Sequence, residues 1–367
     1  MGSPIKTRTR YVIVGSDYSA QEPRLTAFMS QDENMLRAYE EGKDLYAVIA
    51  SLSFDKPYEE CLEYNPVTGA KQVDGAERRS QAKTILLGLT YGRGAASIGE
   101  QLGKTREEAQ EIIDKFFKAF PKVEEWIEKT HSHVRETGYV EDWYGRQRKL
   151  PNIKLPPYEF TSTDKSSTEG NFNPFIGCTD RMDEDFEKKV AKYSNRLAKA
   201  KWGKQVREIV QDASSDGVSI KSNSNLIAEA ERQSVNAIIQ GGAATLTKLA
   251  MINIYNDEEL NRLGYRLLAT IHDEVFGECP EEYGKQVADR LSQVMIDTAK
   301  PYMNVPMQCD AYIVKNWYSN EYLSQLLKSM RDRMAREGLT KEEAFEWIVG
   351  EHPESTREFL SQLLTME

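Results

Sequence analysis

A chain of 367 residues with a formal net charge of -10, 40% hydrophobic and 29% charged, is long enough for two or three domains and apolar enough to bury a core. No apolar run reaches the roughly 18 residues that a membrane span needs, and the Met1-Gly2-Ser3 start carries no apolar signal region, so neither membrane insertion nor secretion is expected. Cys61, Cys178, Cys279 and Cys309 lie far apart without a CxxC pair, which argues against a disulfide scaffold and a zinc site and for a reducing cytoplasm. The acidic total lowers the expectation of a nucleic-acid partner, although local motifs can overrule a sum.

In chain order, Tyr11 to Gly15 has the β-rich apolar pattern of a buried strand and runs straight into Asp17. Ser19-Ala20-Gln21-Glu22 has capping-box spacing and Pro23 suits an early helical turn, so a helix is expected through Phe28. Asp32 to Phe54 reads as helical, Pro57 to Gly75 as loop, and about Ala76 to Tyr91 as a long helix. Beyond Thr105, two amphipathic helices are separated by Phe120-Pro121, and Gly138 ends the second.

Residues Lys154 to Asn225 read as a long loop, with Asn171-Phe172-Asn173-Pro174 within it, followed by one basic amphipathic helix. Phe186, Val190, Tyr193 and Leu197 form its apolar stripe, and Lys188, Lys192 and Lys199 lie off it, either as a solvated face or as a contact to nucleic acid. A helix from about Ile227 to Ile254 precedes two strands around a polar turn at His272-Asp273, and Gln308 to Val314 gives another strand. From Asn320 onward come three short helical patterns. Thr340 to Glu343 and Ser355 to Glu358 are at capping-box spacing, and Leu323, Leu326, Leu327 and Met330 are in register to dock on the body or on a partner helix.

Three constellations could carry chemistry. Asp17 and Asp273 each end a predicted strand, and two carboxylates brought side by side favour a divalent cation, with magnesium suited to an oxygen set completed by substrate phosphate. Taken singly, each aspartate also fits the opening of a turn. Arg79, Lys83, Leu87 and Tyr91 step by four along one helix, so a guanidinium and an ammonium could grip a polyphosphate beside an apolar and an aromatic surface. Arg232, Asn236 and Gln240 step by four along another helix, where amide side chains could reach base edges; a wet polar face has the same pattern. His131 and His133 lie on different helix faces, which disfavours a metal pair there.

Taken in order, these segments resemble the polymerase domain of family A DNA polymerases, the bacterial DNA polymerase I type. Asp17-Tyr18-Ser19-Ala20-Gln21-Glu22-Pro23-Arg24 resembles motif A, Arg79 through Lys83 to Tyr91-Gly92 resembles motif B, and Ile271-His272-Asp273-Glu274-Val275 resembles motif C. Phe120-Pro121-Lys122-Val123, Gly138-Tyr139-Val140-Glu141 with Tyr144-Gly145-Arg146, and Glu231-Arg232 through Asn236 to Gln240-Gly241 match as well. The resemblance covers roughly Tyr11 to Tyr318 apart from the Lys154 to Asn225 insertion, and the insertion and tail look most similar to phage or prophage members.

The resemblance implies an α+β right hand with an antiparallel palm sheet and helical fingers. Residues 11–30 would be the first palm part, 31–153 the fingers, 154–225 an insertion, 226–319 the second palm part and 320–367 a helical tail. It implies a DNA-directed DNA polymerase using two Mg2+ ions, with primer-template DNA and dNTP as partners. Asp17, Asp273 and Glu274 would be catalytic. Asp17, Asp273 and the Tyr18 carbonyl would be metal ligands. Glu22, Arg79, Lys83, Leu87 and Tyr91 would bind the nucleotide, and Arg232, Asn236, Gln240 and His272 the nascent duplex. Leu87 stands where the family usually has an aromatic residue, Tyr46 replaces a common histidine, and Gln21 and Pro23 interrupt motif A. Motif A begins at residue 17, so the usual thumb, first palm segment and exonuclease domain are not in this sequence, and a separate chain supplying a thumb is an expected partner. A single-subunit phage-type RNA polymerase and a catalytically silent nucleic-acid-binding module are the competing expectations.

Overall fold

The computed structural model describes residues 5–6, 10–163, 184–314, 316–317, 320–351, 360 and 364. Cys178, the Asn171 to Pro174 turn and the Ser355 to Glu358 capping pattern lie outside them, as does the Leu323 side chain; Cys61, Cys279 and Cys309 are free thiols.

The chain opens with a short strand, Ile5–Lys6 (β1), and the apolar run at Tyr11 becomes the strand Tyr11–Tyr18 (β2). Ala20, at φ +53°, turns the backbone into the helix Gln21–Ser30 (α1). Two aspartates then start helices by accepting N–H groups that a first turn leaves unpaired. Asp32 accepts from Asn34 and Met35 at the head of Glu33–Glu40 (α2), and Asp44 from Tyr46 and Ala47 at the head of Leu45–Phe54 (α3). Val73–Thr90 (α4), Ala95–Leu102 (α5), Arg106–Ala119 (α6) and Pro121–Thr137 (α7) follow. A Thr105/Glu108 capping box opens α6, while Pro121 at the start of α7 and Gly138 at φ +82° beyond its end bound that helix. Tyr139–Glu141 (β3) pairs with Gln147–Lys149 (β4).

The expectation of one long loop and one helix over Lys154 to Asn225 is corrected. Tyr158–Ser162 (β5), Glu184–Lys199 (α8), Gly203–Ser215 (α9) and Val218–Ser222 (β6) occupy this stretch, with β5 antiparallel to β6. The stripe Phe186, Val190, Tyr193 and Leu197 is buried as expected, against Phe160, Ile209, Ala213 and Val218. The sheet is not legible because its strands come from opposite ends of the segment; α9, which buries Ile209 and Ala213 with Val206 half-buried, has apolar residues at helical spacing and was overlooked.

Ser224–Asn256 (α10), Glu258–Arg262 (α11), Arg266–Ile271 (β7), Glu274–Pro280 (β8), Gly284–Ala299 (α12), Cys309–Val314 (β9), Asn316–Trp317 (β10), Asn320–Glu337 (α13) and Lys341–Glu351 (α14) complete the order. By length and mean hydropathy α10 alone among the described helices would pass for a membrane span, but half of its most apolar window is buried inside the protein, as in a soluble core helix.

The chain divides into two compact units, Met1–Gln21 with Ala243–Glu367, and Glu22–Gly242. The first holds an antiparallel sheet of order β7-β8-β2-β9. The two-residue period of β2 sends Val12, Val14, Ser16 and Tyr18 to one face and Ile13, Gly15 and Asp17 to the other. On the first face, Ser16 Oγ lies 3.0 Å from Ser292 Oγ, and Tyr18 donates its hydroxyl to the Met295 carbonyl at 2.8 Å, which fixes α12 to the sheet. In the tail, Leu326, Leu327 and Met330 are buried against Ala344, Phe345 and Ile348, so α13 and α14 cover each other. The second unit is mainly helical. Ala82, Ile85, Leu86 and Leu89 give α4 its buried face, and Val134, Val140, Leu150, Ile153, Ala230 and Ile238 form a further core.

Candidate active site

Strand register, rather than sequence proximity, gathers the acids of the first unit. Asp17 on β2 is directly opposite Glu274 on β8 and Asp310 on β9, so three carboxylates from adjacent strands lie on the face away from α12. Asp273 joins them from the two-residue turn between β7 and β8, where His272 takes φ +54°, the left-handed backbone that such hairpins use at the first turn position. The Asp17 carboxyl is pushed up to about 7. Partial burial of the carboxyl is the largest cause, followed by the charge of Asp273, a hydrogen bond shared with Asp273, and Glu274, while a backbone hydrogen bond at Tyr18 pulls the other way. The residue as a whole keeps an exposed side, so the group is crowded but reachable from solvent.

Two neighbours hold this group of acids: Ser19, which the sequence offers as a capping residue, and Tyr312, which it does not single out. Ser19 donates its hydroxyl to Asp310, and its N–H to the Gln308 carbonyl at 2.9 Å, which pins the end of β2 just past Tyr18. Tyr312 lies opposite Gly15, and its ring crosses β2 there to donate a hydrogen bond to Glu274 Oε1. A Cβ at position 15 would overlap that ring, so glycine is what lets the crossing occur. The strand from Gln308 to Val314 is legible in the sequence, with Asp310 and Tyr312 on one face. That it lies beside β2 is not.

Among the described residues, no three His, Cys, Asp or Glu side chains converge as a closed metal cage would require. Asp17 and Asp273 form a carboxyl pair whose mutual charge favours a cation. Magnesium fits such a partial set, because it keeps several waters and takes its remaining oxygens from substrate phosphate.

In the second unit, Arg79, Lys83, Leu87 and Tyr91 lie along α4 and its C-cap as the spacing predicts. The Arg79 guanidinium lies 5.2 Å from the centre of the Tyr46 ring, and its Nε donates to Asp44 Oδ2 at 2.6 Å. Asp44, the N-cap of α3, therefore occupies the guanidinium that the spacing offers to a polyphosphate. Lys83 is exposed and has no ion-pair partner among the described residues, and Leu87 is half-buried. Tyr91 donates its hydroxyl to Glu22 Oε2 at 2.8 Å and shares a hydrogen bond with Gln240; burial and the Glu22 bond raise its pKa. Glu22, Tyr91 and Gln240, read from three separate motifs, thus meet in one hydrogen-bonded group.

Gly92, at φ +68°, follows Tyr91, and a Cβ there would lie 2.6 Å from Arg232 Cβ, so the turn after α4 packs directly on α10. Arg232 itself is exposed. The Asn236 Oδ1 atom is buried and has no hydrogen-bond partner among the described residues, an uncommon state. His272, on the first unit, is exposed.

The comparisons with known proteins follow this geometry. The profile of DNA polymerase family A matches residues 4–169 and 180–319, and the chain belongs to that family. The thermostable DNA polymerase I of Thermus aquaticus is 31% identical over 309 residues, which is 84% of this chain and 27% of that protein. DNA polymerase I of Chloroflexus aurantiacus is 28% identical over 304 residues, 83% of this chain and 24% of that protein. The chain spans about a quarter of the length of these curated relatives. The POL domain of Pol1 from M. smegmatis, solved in complex with DNA primer-template and dNTP, shares the fold at a TM-score of 0.59 and 23% identity, covering 85% of this chain and 41% of that chain.

Proposed function

We propose that the chain is the palm and fingers portion of a template-directed DNA polymerase that adds deoxynucleotides to a primer 3′-hydroxyl, with primer-template DNA and dNTP as partners and two Mg2+ ions as cofactors. The observation that carries this reading is the pairing of Asp17 with Asp273 on a sheet of a family A chain, where burial first and then the charge of Asp273 push the Asp17 carboxyl up to about 7. Such a pair is relieved by a divalent cation. Asp17, Asp273 and the Tyr18 carbonyl would hold the ions, and Glu274, oriented by Tyr312, would act at the edge of the site. When bound there, the ions supply a lowered pKa for the primer hydroxyl and counter-charge for the leaving pyrophosphate.

The remaining roles fall to groups of the chain itself. Lys83, exposed and without an ion-pair partner among the described residues, suits a point charge on the triphosphate, and Arg79 would exchange Asp44 for a phosphate oxygen. Glu22 would occupy the space that a ribose 2′-hydroxyl needs, and Tyr91, hydrogen-bonded to it, would stand at the templating position. Leu87 offers an aliphatic surface to the incoming sugar and base, which removes aromatic stacking from that contact. Arg232, Asn236, Gln240 and His272 would touch the nascent duplex, with the exposure of Arg232, Gln240 and His272 the feature in favour.

The test is primer extension with magnesium, by the chain alone and with a candidate thumb-bearing partner, comparing the native chain with Asp17→Ala and Asp273→Ala. Incorporation should be abolished in both variants while DNA binding persists. Retained incorporation refutes the assignment. A preference for ribonucleotides would favour a single-subunit RNA polymerase, and DNA binding without incorporation by the native chain would favour a catalytically silent module.

A further inference from the structure

The hairpin formed by α8 and α9 carries a feature that the proposed polymerase reaction does not use. Between residues 188 and 207 there are eight cations, Lys188, Lys189, Lys192, Arg196, Lys199, Lys201, Lys204 and Arg207, and no acid, in a chain whose net charge is -10. The structure places seven of them, all but Lys188, in two sets. Lys192 pairs with Asp216 at 2.7 Å, Arg196 with Asp212 at 2.6 Å, and Lys189 donates to the Asp216 carbonyl at 2.9 Å. These three tie α8 to the end of α9 through surface contacts, and Lys188, Lys192 and Lys199 remain exposed, as the solvated-face reading expects.

The other set lies at the hairpin tip. Lys199, Lys201, Lys204 and Arg207 are exposed, and none has an ion-pair partner among the described residues. Lys204 and Arg207 are one turn apart on α9, off the face that buries Ile209 and Ala213. Trp202 stands among them with 71% of its surface exposed. Its backbone is held: the N–H groups of Lys201 and Trp202 donate to Gln205 Oε1 at 2.8 and 3.3 Å, which fixes the turn that presents the indole. A bare indole of this size is costly to leave in water, and a core role is excluded by its exposure.

We propose that this tip is a binding site for single-stranded DNA, with Trp202 as a stacking platform for a base and Lys199, Lys201, Lys204 and Arg207 as contacts to the backbone phosphates on either side. An exposed aromatic ring interleaved with unpaired cations is the combination that such binding uses, because every base has a face to stack and every nucleotide carries a charge. The same four cations would attract an acidic protein, but the indole adds nothing to that. The site reads no sequence, and it does not depend on the catalytic assignment above.

The experiment titrates the full chain with oligothymidylate while following tryptophan fluorescence, in the native chain, Trp202→Phe, Trp202→Ala and the double variant Lys201→Ala with Lys204→Ala. The native chain should show quenching that Trp202→Phe lacks, since that ring still stacks but no longer emits. Trp202→Ala should bind about tenfold more weakly. The lysine variant should lower the slope of log affinity against log salt by about 0.7 for each cation removed. All three substituted positions are exposed, so unchanged melting temperatures verify the fold. Equal quenching in the native chain and Trp202→Phe, unchanged affinity in Trp202→Ala, or equally tight binding of polyglutamate would each overturn the proposal.

Discussion

Replacing Gly15 by alanine tests how the sheet holds Glu274. On general grounds alanine should help, since glycine inside a strand costs roughly 0.5–1 kcal/mol relative to alanine. Here the new methyl meets the Tyr312 ring, which crosses β2 at this position to reach Glu274. The clash is with the far end of a side chain, so the ring can swing aside, and the loss is chiefly the hydrogen bond to a carboxylate, worth about 1.5–3 kcal/mol. The net expectation is a destabilisation of about 1–2 kcal/mol in the native background. In a Tyr312→Ala background the obstacle is gone, and Gly15→Ala should instead stabilise by about 0.5–1 kcal/mol. Urea unfolding of the four proteins in the cycle measures this directly, and the sign should reverse between backgrounds. The same Gly15→Ala effect with and without the tyrosine would refute the reasoning. Nucleotide incorporation by Gly15→Ala should fall as well, because Glu274 loses its orienting donor.

Two further outcomes follow from the charges. The Asp17 carboxyl is raised from 3.8 to about 7 in the folded chain, so its contribution favours folding at low pH and is lost as pH rises from about 4 to 7; above 7 the charged pair burdens the fold. Magnesium should therefore raise the melting temperature more at pH 8 than at pH 5, and Asp17→Asn should remove most of that difference; an equal magnesium effect at both pH values would contradict the pairing. Asp257 behaves oppositely. Burial pushes its carboxyl up, but hydrogen bonds from Arg290, at 2.6 Å to Oδ2, and from the Leu260 N–H at 2.9 Å outweigh it and lower the pKa from 3.8. Its stabilisation is present above about pH 4 and lost as pH falls through the lowered value. Asp257→Ala should cost about 1–3 kcal/mol at pH 7 and much less at pH 2, by chemical denaturation; a cost that does not shrink in acid would show that the ion pair contributes nothing.

The sequence by itself determined the local parts. Apolar and β-rich runs placed β2, the two strands around His272-Asp273 and the strand at Gln308, and capping spacing located the start of α14 at Thr340. Steps of four aligned Arg79, Lys83, Leu87 and Tyr91 on α4, and the order of three motifs pointed to the family to which the chain belongs. These signals are short-range, set by the pitch of a helix, the pleat of a strand and the orphan N–H groups of a first turn.

Only the tertiary structure decided who stands beside whom. Asp310 and Tyr312 join Asp17 and Glu274 because β9 pairs with β2, and Asp44 claims Arg79 although the two come from different helices. Likewise, β5 finds β6 from the far end of the insertion, and the same fold splits seven of the eight cations there into three that bind α9 and four at a tip that stays open. Pairing across long stretches of chain rests on which buried faces fit together, and no local pattern carries that information.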